Sequence, residues 1–340
     1  MLITTERPII RQRPEDKFLT RSFLPPNPKR KGEGGLRRKG YFKHSYKKVD
    51  GVWHLCDIHG CPVIKAAPDL AARLEAASSL SMNEPNGPSS LGPQMDELPS
   101  ITVVTVVLNN AKGFEKTALN VFSQDYPNFE FLVIDGGSTD GTVDVIRKYE
   151  HSIDYWVSEK DSGIADAFNK GITLSFGTYI NFLNAGDIFT TPKALSYVAR
   201  YLTRGQRILS FFAKFGSRTI PKRPVENDSP LCRKAMISHQ ASFIKTDVFR
   251  EWGLYDTGLR LRMDYEFWTR ILRSEKFLFV PEILVDYDPH GISGKNIEQF
   301  YEEELIVNKK YLNLFERLFR RAVIIIRKLQ LGPKRVWGSF

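Results

Sequence analysis

The sequence predicts an α/β domain with an open, mostly parallel sheet and helices on both faces. Residues 101–108 form a continuous apolar, β-branched run (ITVVTVVL), which is typical of a strand buried on both faces. Strand and helix patterns then alternate as far as residue 202, and this alternation indicates parallel strands joined by crossover helices. The predicted strands span 101–108, 129–134, 153–157 and 178–183, and the predicted helices span 113–124, 142–149, 164–174 and 192–202.

The segments that flank this domain are basic. The chain has 340 residues and a formal net charge of +10, and residues 1–48 alone contain 14 Lys or Arg against 4 Asp or Glu. Residues 313–340 contain 7 against 1, so the region between the two ends is acidic overall. We therefore divide the chain into a basic N-terminal extension (1–48), a segment with a hairpin (49–67), a short helix (68–78) and a linker that together span 49–99, the α/β domain (100–294) and a basic helical segment (295–340).

The last segment has the pattern of an amphipathic helix. Arg317, Arg321 and Lys328 lie on one side of it, and such a helix suits the surface of an anionic membrane. Packing against the α/β domain or against a second copy of the chain is the alternative. The opposite side carries Leu314, Leu318, Ala322, Ile325 and Leu329, widened by Phe315, Phe319 and Ile326.

Three further features bear on location. No apolar run approaches the roughly 18 residues that a spanning helix needs. The first residues lack the apolar region of a signal peptide. The chain has only three cysteines, which fits a reducing compartment. We therefore expect a cytoplasmic protein that lies peripherally on the inner face of the plasma membrane.

Polar residues follow the predicted strands, and ligands of parallel sheets bind beyond these carboxyl ends. Asp135 precedes two glycines that let a flat ring approach the backbone, so its carboxylate can accept a hydrogen bond from a nucleobase. The alternative is a plain turn that caps the next helix. Asp166 and Asn169 share one face of the helix at 164–174. The start of that helix suits phosphate or sugar hydroxyls, and a surface salt-bridge face is the alternative.

Asp187 ends the stretch Asn184-Ala-Gly-Asp after the fourth strand. Mg²⁺ and Mn²⁺ prefer oxygen ligands and usually take one or two protein carboxylates together with substrate phosphates. The position therefore suits a divalent cation held against a diphosphate. The alternative is an aspartate that caps the turn toward Pro192.

Taken together, the segments resemble the family 2 glycosyltransferases, in the branch that builds bacterial cell-envelope polysaccharides. The resemblance covers about residues 100–294 and implies the GT-A fold, a nucleoside-diphosphate-sugar donor, Mn²⁺ or Mg²⁺, and inversion at the anomeric carbon. It also implies a glycan or lipid-linked acceptor. The segments, in the order of the family, are Val103 to Asn109, Asp135 to Thr142, Glu159 to Ile164, Asn169 to Gly171, Phe182 to Asp187, His239-Gln240 and Met263 to Trp268.

The resemblance also implies roles for individual residues. Asp264 matches the general base, with Glu266 as the near alternative, and Asp187 matches the last acid of the metal motif. The family often has two or three acids there, whereas this chain has Asn184 and Gly186. The implied donor-binding residues are Val106, Leu108, Asn109, Asp135, Asp161, Asp166, Asn169, His239 and His290.

Two other classes of function compete with this interpretation. A nucleic-acid-binding module would use the basic ends, but acidic strand ends would repel phosphate without a metal, so we expect no nucleic-acid partner. A non-catalytic nucleotide-sugar binder is the other class, and the presence of both Asp187 and Asp264 argues against it. Self-association as a homo-oligomer is left open.

Overall fold

The computed structural model describes residues 3–57, 61–68, 71–72, 75, 99–202, 204–288 and 296–331. The described strands are β1 (Ile3–Thr4), β2 (Gly32–Gly34), β3 (Phe42–Lys43), β4 (Tyr46–Val49), β5 (Val52–Cys56), β6 (Pro62–Lys65), β7 (Ile101–Val107), β8 (Phe129–Asp135), β9 (Tyr155–Ser158), β10 (Tyr179–Phe182), β11 (Ile188–Phe189), β12 (Ile208–Phe215), β13 (Arg218–Ile220), β14 (Ser242–Lys245) and β15 (Leu278–Asp286).

The helices that the described residues form follow the strands in alternation through the first half of the domain. They are α1 (Ala111–Phe122), α2 (Thr142–Lys148), α3 (Ile164–Leu174), α4 (Ala194–Leu202), α5 (Leu231–Lys234), α6 (Thr246–Trp252), α7 (Met263–Ile271), α8 (Ile297–Tyr311) and α9 (Leu314–Leu331).

A ten-stranded sheet forms the centre of the fold, in the order β11-β15-β12-β14-β10-β7-β8-β9-β2 with β13 beside β12. Strands β10, β7, β8 and β9 are parallel, as the alternating sequence pattern predicts. The other half adds strands that are antiparallel at β14 and at β11, with β12 and β15 parallel to each other. The carboxyl ends of the four parallel strands therefore lie at one edge.

Strand β7 shows why its sequence is apolar at nearly every position. Val104 and Val106 pack into one core, beneath α3, α6 and α7. Ile101, Val103 and Val107 pack into the other core, beneath α1, α2 and α4. Because successive side chains of a strand point to opposite faces, a strand covered on both faces needs apolar residues throughout.

The basic N-terminal extension packs on the domain. Strand β2 pairs antiparallel with β9 at the edge of the sheet. Arg37 is buried, and its Nη2 lies 2.5 Å from Oε2 of Glu130. Lys43 pairs with Asp154 at 2.8 Å, and Arg30 pairs with Glu159 at 2.9 Å. Part of the positive charge of the extension therefore neutralises acids of the domain.

The predicted hairpin at 49–67 forms and lies in a three-stranded antiparallel sheet of β4, β5 and β6. The predicted short helix at 68–78 lies mostly outside the described residues. No helix in the described parts of the chain combines the length and apolarity that crossing a membrane requires.

The C-terminal helices are tied to the domain through polar groups. Glu304 of α8 is buried between two arginines, with Arg262 at 3.1 Å and Arg320 of α9 bonded to its other oxygen. Glu316 of α9 accepts the backbone N–H of Leu231 at 2.8 Å. The apolar face of α9 points away from these contacts. Seven large apolar side chains on it are between 52% and 83% exposed: Leu314, Phe315, Leu318, Phe319, Ile325, Ile326 and Leu329.

Candidate active site

A cavity of about 1280 Å³ opens at the carboxyl ends of the parallel strands. It is the place where ligands of such sheets bind. The predicted residues that line it come from five different segments of the chain. They are Val106, Leu108, Asn109, Asp161, Asp187, His239 and Asp264. His290, which was also predicted to contact the donor, lies outside the described residues.

Asp135 is not among the residues that line the cavity, and its predicted contact with the base stays a prediction. Its carboxylate is fully buried and accepts the backbone N–H groups of Gly137 and Ser138 at 3.1 and 3.0 Å. The hydroxyls of Ser138 and Ser158 also donate to it. Both of its oxygens accept hydrogen bonds from the protein, and Asp135 therefore shapes the loop after β8.

Asp166 and Asn169 are also not among the residues that line the cavity, and their predicted donor contacts stay predictions. Asp166 accepts the backbone N–H of Ser162 at 3.0 Å, so it holds the turn that precedes α3. Asn169 exchanges two hydrogen bonds of 2.9 Å with the backbone of Tyr255. It therefore joins α3 to the loop that precedes α7, and its amide is occupied.

Asp161 is the acid that reaches the cavity on the side of β8. Its carboxylate lies over Gly136, where a Cβ would come within 2.5 Å of Asp161 Oδ2, so a side chain at 136 would displace it. Burial raises the pKa of Asp161 above its usual value, while the backbone N–H of Gly163 donates to Oδ1 at 3.0 Å and acts against this rise. Asp161 thus presents a half-buried carboxylate beside the exposed side chain of Leu108.

Asp187 is 2% exposed, and its Oδ2 atom has no hydrogen-bond partner among the described residues. Burial raises the pKa of this carboxyl to about 7. A buried carboxylate oxygen without a donor is costly, and a bound cation removes that cost. The residue therefore fits a divalent cation. The described residues contain no group of three or more His, Cys, Asp or Glu side chains that could hold a metal, so most ligands would be water and phosphate oxygens.

Asp264 follows the first residue of α7 and faces the cavity, with 29% of its side chain exposed. Its Oδ2 lies 3.5 Å from Nδ1 of His239. Burial alone would raise the pKa of Asp264, but the hydrogen bond from His239 and the charge of Arg262 hold it below its usual value. The ring of His239 packs edge-on against Phe168, 5.4 Å between centroids, which fixes its position.

Glu266, the alternative base, does not line the cavity. It is buried, and Arg270 binds both of its oxygens at 3.0 and 3.1 Å. The hydroxyl of Tyr311 donates to it at 2.6 Å. Between the two acids of α7, only Asp264 is placed to accept a proton from a bound ligand.

Several lining residues were not predicted from the sequence. Lys112 and Lys116 are four residues apart on α1 and so share a face, which a helical pattern can reveal. Asp288 follows strand β15, which the sequence analysis did not identify. The lining residues without a sequence prediction also include Lys160, Arg260, Asn296 and Gln299.

Comparison with known proteins identifies the family. The model of glycosyl transferase family 2 matches residues 102–257. A glycosyltransferase of Mycobacterium tuberculosis, itself uncharacterised, is 30% identical over 208 residues, which cover 59% of this chain and 79% of that protein. A PGL/p-HBAD biosynthesis glycosyltransferase of Mycobacterium bovis is 25% identical over 235 residues, covering 67% and 90%.

The fold agrees with a solved structure. The crystal structure of S. aureus TarS superposes with a TM-score of 0.52 at 17% identity, over 63% of this chain and 66% of that chain. The family match, the M. tuberculosis relative and this superposition lead to one conclusion. The chain is a glycosyltransferase that belongs to glycosyl transferase family 2, and its α/β domain has the GT-A fold.

Proposed function

We propose that this enzyme transfers a sugar, with inversion at the anomeric carbon, from a nucleoside-diphosphate sugar to a hydroxyl of a glycan or lipid-linked acceptor. The observation that carries the proposal is the pairing of Asp264 with His239 in the same cavity as Asp187. One carboxylate is thereby kept ionised as a base, and another is suited to a cation beside the leaving group. The Mycobacterium bovis relative is named for PGL/p-HBAD biosynthesis, and we include a lipid-linked acceptor in the proposal on that likeness.

The chemistry needs one base. Asp264 accepts the proton of the acceptor hydroxyl while that oxygen attacks the anomeric carbon from the side opposite the diphosphate. The bond from the anomeric carbon to the diphosphate breaks, and the configuration inverts. A cation held by Asp187 would offset the charge of the leaving diphosphate. A positioned base typically accelerates such a step by about 10²–10⁴-fold.

Asp161 takes the role in base recognition that the sequence assigned to Asp135. Its carboxylate lies in the cavity over the glycine backbone at Gly136, where a flat ring can approach. A carboxylate in that place accepts an N–H from the base. S. aureus TarS has been solved with UDP and with UDP-GlcNAc, which makes a uridine nucleotide the first donor to test.

The exposed face of α9 suits the surface of an anionic membrane. Seven of its apolar side chains are more than half exposed, and Arg321 and Lys328 are exposed on the same helix. The single acid of α9, Glu316, is occupied by the backbone of Leu231. An apolar strip bordered by cations matches the boundary between acyl chains and anionic headgroups. A peripheral position at the cytoplasmic face of the plasma membrane is consistent with this arrangement.

The proposal is tested with the full chain, Mn²⁺, and a panel of UDP-, GDP- and dTDP-sugars. The wild type is expected to release the nucleoside diphosphate with at least one donor, and NMR of the product sugar is expected to show the opposite anomer. Asp264→Asn should lose about 10²–10⁴-fold in turnover while retaining nucleotide binding. Glu298→Gln, on the first turn of α8, is the control and should retain turnover. Retained turnover in Asp264→Asn, or a product with the donor's anomeric configuration, would contradict the proposal.

A further inference from the structure

Two buried oxygens at the end of β10 have no hydrogen-bond partner among the described residues. They are Oδ2 of Asp187 and Oδ1 of Asn184, and both residues line the cavity. The amide nitrogen of Asn184 lies 3.3 Å from Nε2 of His239, which leaves its oxygen on the other side. Buried polar atoms are almost always satisfied, so two such oxygens in one place indicate a ligand that accepts lone pairs.

A second carboxylate reaches this place from a distant part of the chain. Strand β15 pairs with β11, with Asp286 opposite Ile188, and this register brings Asp288 beside the turn at 184–187. The backbone N–H of Asp288 donates to Oδ1 of Asp187 at 2.8 Å. This bond holds Asp187 with its other oxygen unoccupied.

Gly186 makes room for the Asp288 side chain. A Cβ at position 186 would overlap Oδ2 of Asp288, and the backbone of Gly186 has a φ of +109°, which residues with a side chain rarely adopt. The glycine that replaces an expected acid in this motif is therefore the residue that lets another acid enter. The carboxylate missing from the turn is supplied by the segment that follows β15.

We propose that Asp288 is the second carboxylate ligand of a divalent cation whose other protein carboxylate is Asp187. This inference rests on the proposed function, in which the cation faces the donor diphosphate. Two carboxylates and an amide oxygen form the all-oxygen set that Mg²⁺ and Mn²⁺ prefer. Two adjacent carboxylates repel one another, and a cation bound between them relieves that repulsion, as a proton on one of them also does. Water and the diphosphate would complete the coordination.

The test measures direct binding of Mn²⁺ to the full-length protein without nucleotide. The EPR signal of free Mn²⁺ reports how much of the ion remains unbound. Asp187→Asn and Asp288→Asn should each weaken Mn²⁺ binding about tenfold or more, since even second-shell changes cost 10–100-fold. Asp286→Asn is the matched control. It lies two residues before Asp288, its carboxylate is 41% exposed and faces Lys214, and it does not line the cavity. Its Mn²⁺ affinity should equal that of the wild type.

Gly186→Ala provides a second, independent variant, because it displaces the Asp288 carboxylate without removing it. It should also weaken Mn²⁺ binding, and circular dichroism should show that all variants keep the wild-type secondary structure. Wild-type affinity in Asp288→Asn would overturn the assignment of Asp288. Absence of Mn²⁺ binding by the wild type would overturn the cation site.

These outcomes are separate from a failure of the proposed function. The proposed function is contradicted if the wild type releases no nucleoside diphosphate from any donor, even though Mn²⁺ binds to it and Asp288→Asn weakens that binding. The assignment of Asp288 as a metal ligand is contradicted if Asp288→Asn binds Mn²⁺ with wild-type affinity, even though the enzyme transfers the sugar.

Discussion

The Nδ1 atom of His239 lies 3.5 Å from Oδ2 of Asp264, and Nε2 of the same ring lies 3.3 Å from the amide nitrogen of Asn184. If that amide donates to Nε2, the ring carries its proton on Nδ1 and donates to Asp264. The two contacts set the tautomer together. His239 therefore links the end of β10, where the cation is proposed to bind, to the residue proposed as the base.

The first prediction concerns the pH dependence of this pair. The hydrogen bond from His239 and the charge of Arg262 lower the pKa of Asp264, against the effect of burial. His239→Ala removes that hydrogen bond, so the pKa of Asp264 should rise. A base works only when deprotonated, and the acid limb of the kcat/KM profile should therefore move to higher pH.

The control for this prediction is His151→Ala, which changes an exposed histidine in the turn after α2. Its pH profile should match that of the wild type. An acid limb that stays in place in His239→Ala would show that His239 does not act through Asp264.

The second prediction separates two neighbouring acids. Asp161→Asn should weaken binding of the best nucleoside diphosphate by roughly 10- to 100-fold, since a hydrogen bond to a charged group is worth about 1.5–3 kcal/mol. Asp135→Asn should instead lower the free energy of unfolding by about 1–3 kcal/mol, because it disturbs four internal hydrogen bonds. Isothermal titration and urea denaturation measure the two effects. A stable Asp135→Asn protein that fails to bind nucleotide would reverse the assignment.

Sequence patterns predicted the parallel strands, the cavity edge and seven of the residues that line the cavity, because strand and helix periods are local properties. The direction of a single side chain is not local. Asp135 turns back into its own loop because Ser158, on the next strand, donates to it. Asn169 turns toward the backbone of Tyr255, 86 residues away. Neither partner can be inferred from spacing around the acid or the amide.

Asp288 and α9 are two further features that local sequence patterns could not predict. Asp288 reaches Asp187 through the pairing of β15 with β11, a contact across 101 residues. The sequence predicted two faces for α9, but the buried Glu304 decides which face packs, because it binds Arg320. The apolar face is thereby left exposed, although a packed helix would ordinarily bury it.

The third prediction concerns the bond between the N-terminal extension and the sheet. Arg37→Met leaves Glu130 buried without its cation, which should lower the free energy of unfolding by about 3–5 kcal/mol. Arg38→Met is the matched control. Arg38 is 49% exposed and pairs with Glu33, so its loss should cost about 1 kcal/mol or less. Adding Glu130→Gln to Arg37→Met should recover part of the stability in urea denaturation. Equal effects of the two single changes would contradict a structural role for the extension.

The fourth prediction concerns membrane attachment through α9. Phe315→Asp combined with Phe319→Asp places two charges on the exposed apolar face, where these side chains are 83% and 62% exposed. Binding to liposomes that contain phosphatidylglycerol should fall by at least tenfold in a sedimentation assay, because the apolar contact is lost and anionic headgroups repel the new acids.

The control is Leu119→Asp on α1, which changes a side chain that is 50% exposed on a surface with no proposed membrane contact. Leu119→Asp should bind liposomes as the wild type does. The double variant should keep wild-type activity on a soluble acceptor, because neither phenylalanine lines the cavity. If the wild type is a dimer that the double change converts to a monomer without altering liposome binding, the face packs against a second copy of the chain and not against a membrane.

Substituting α9 in place is a sharper test than removing it, because truncation would also take away Arg320 and leave Glu304 with one fewer cation.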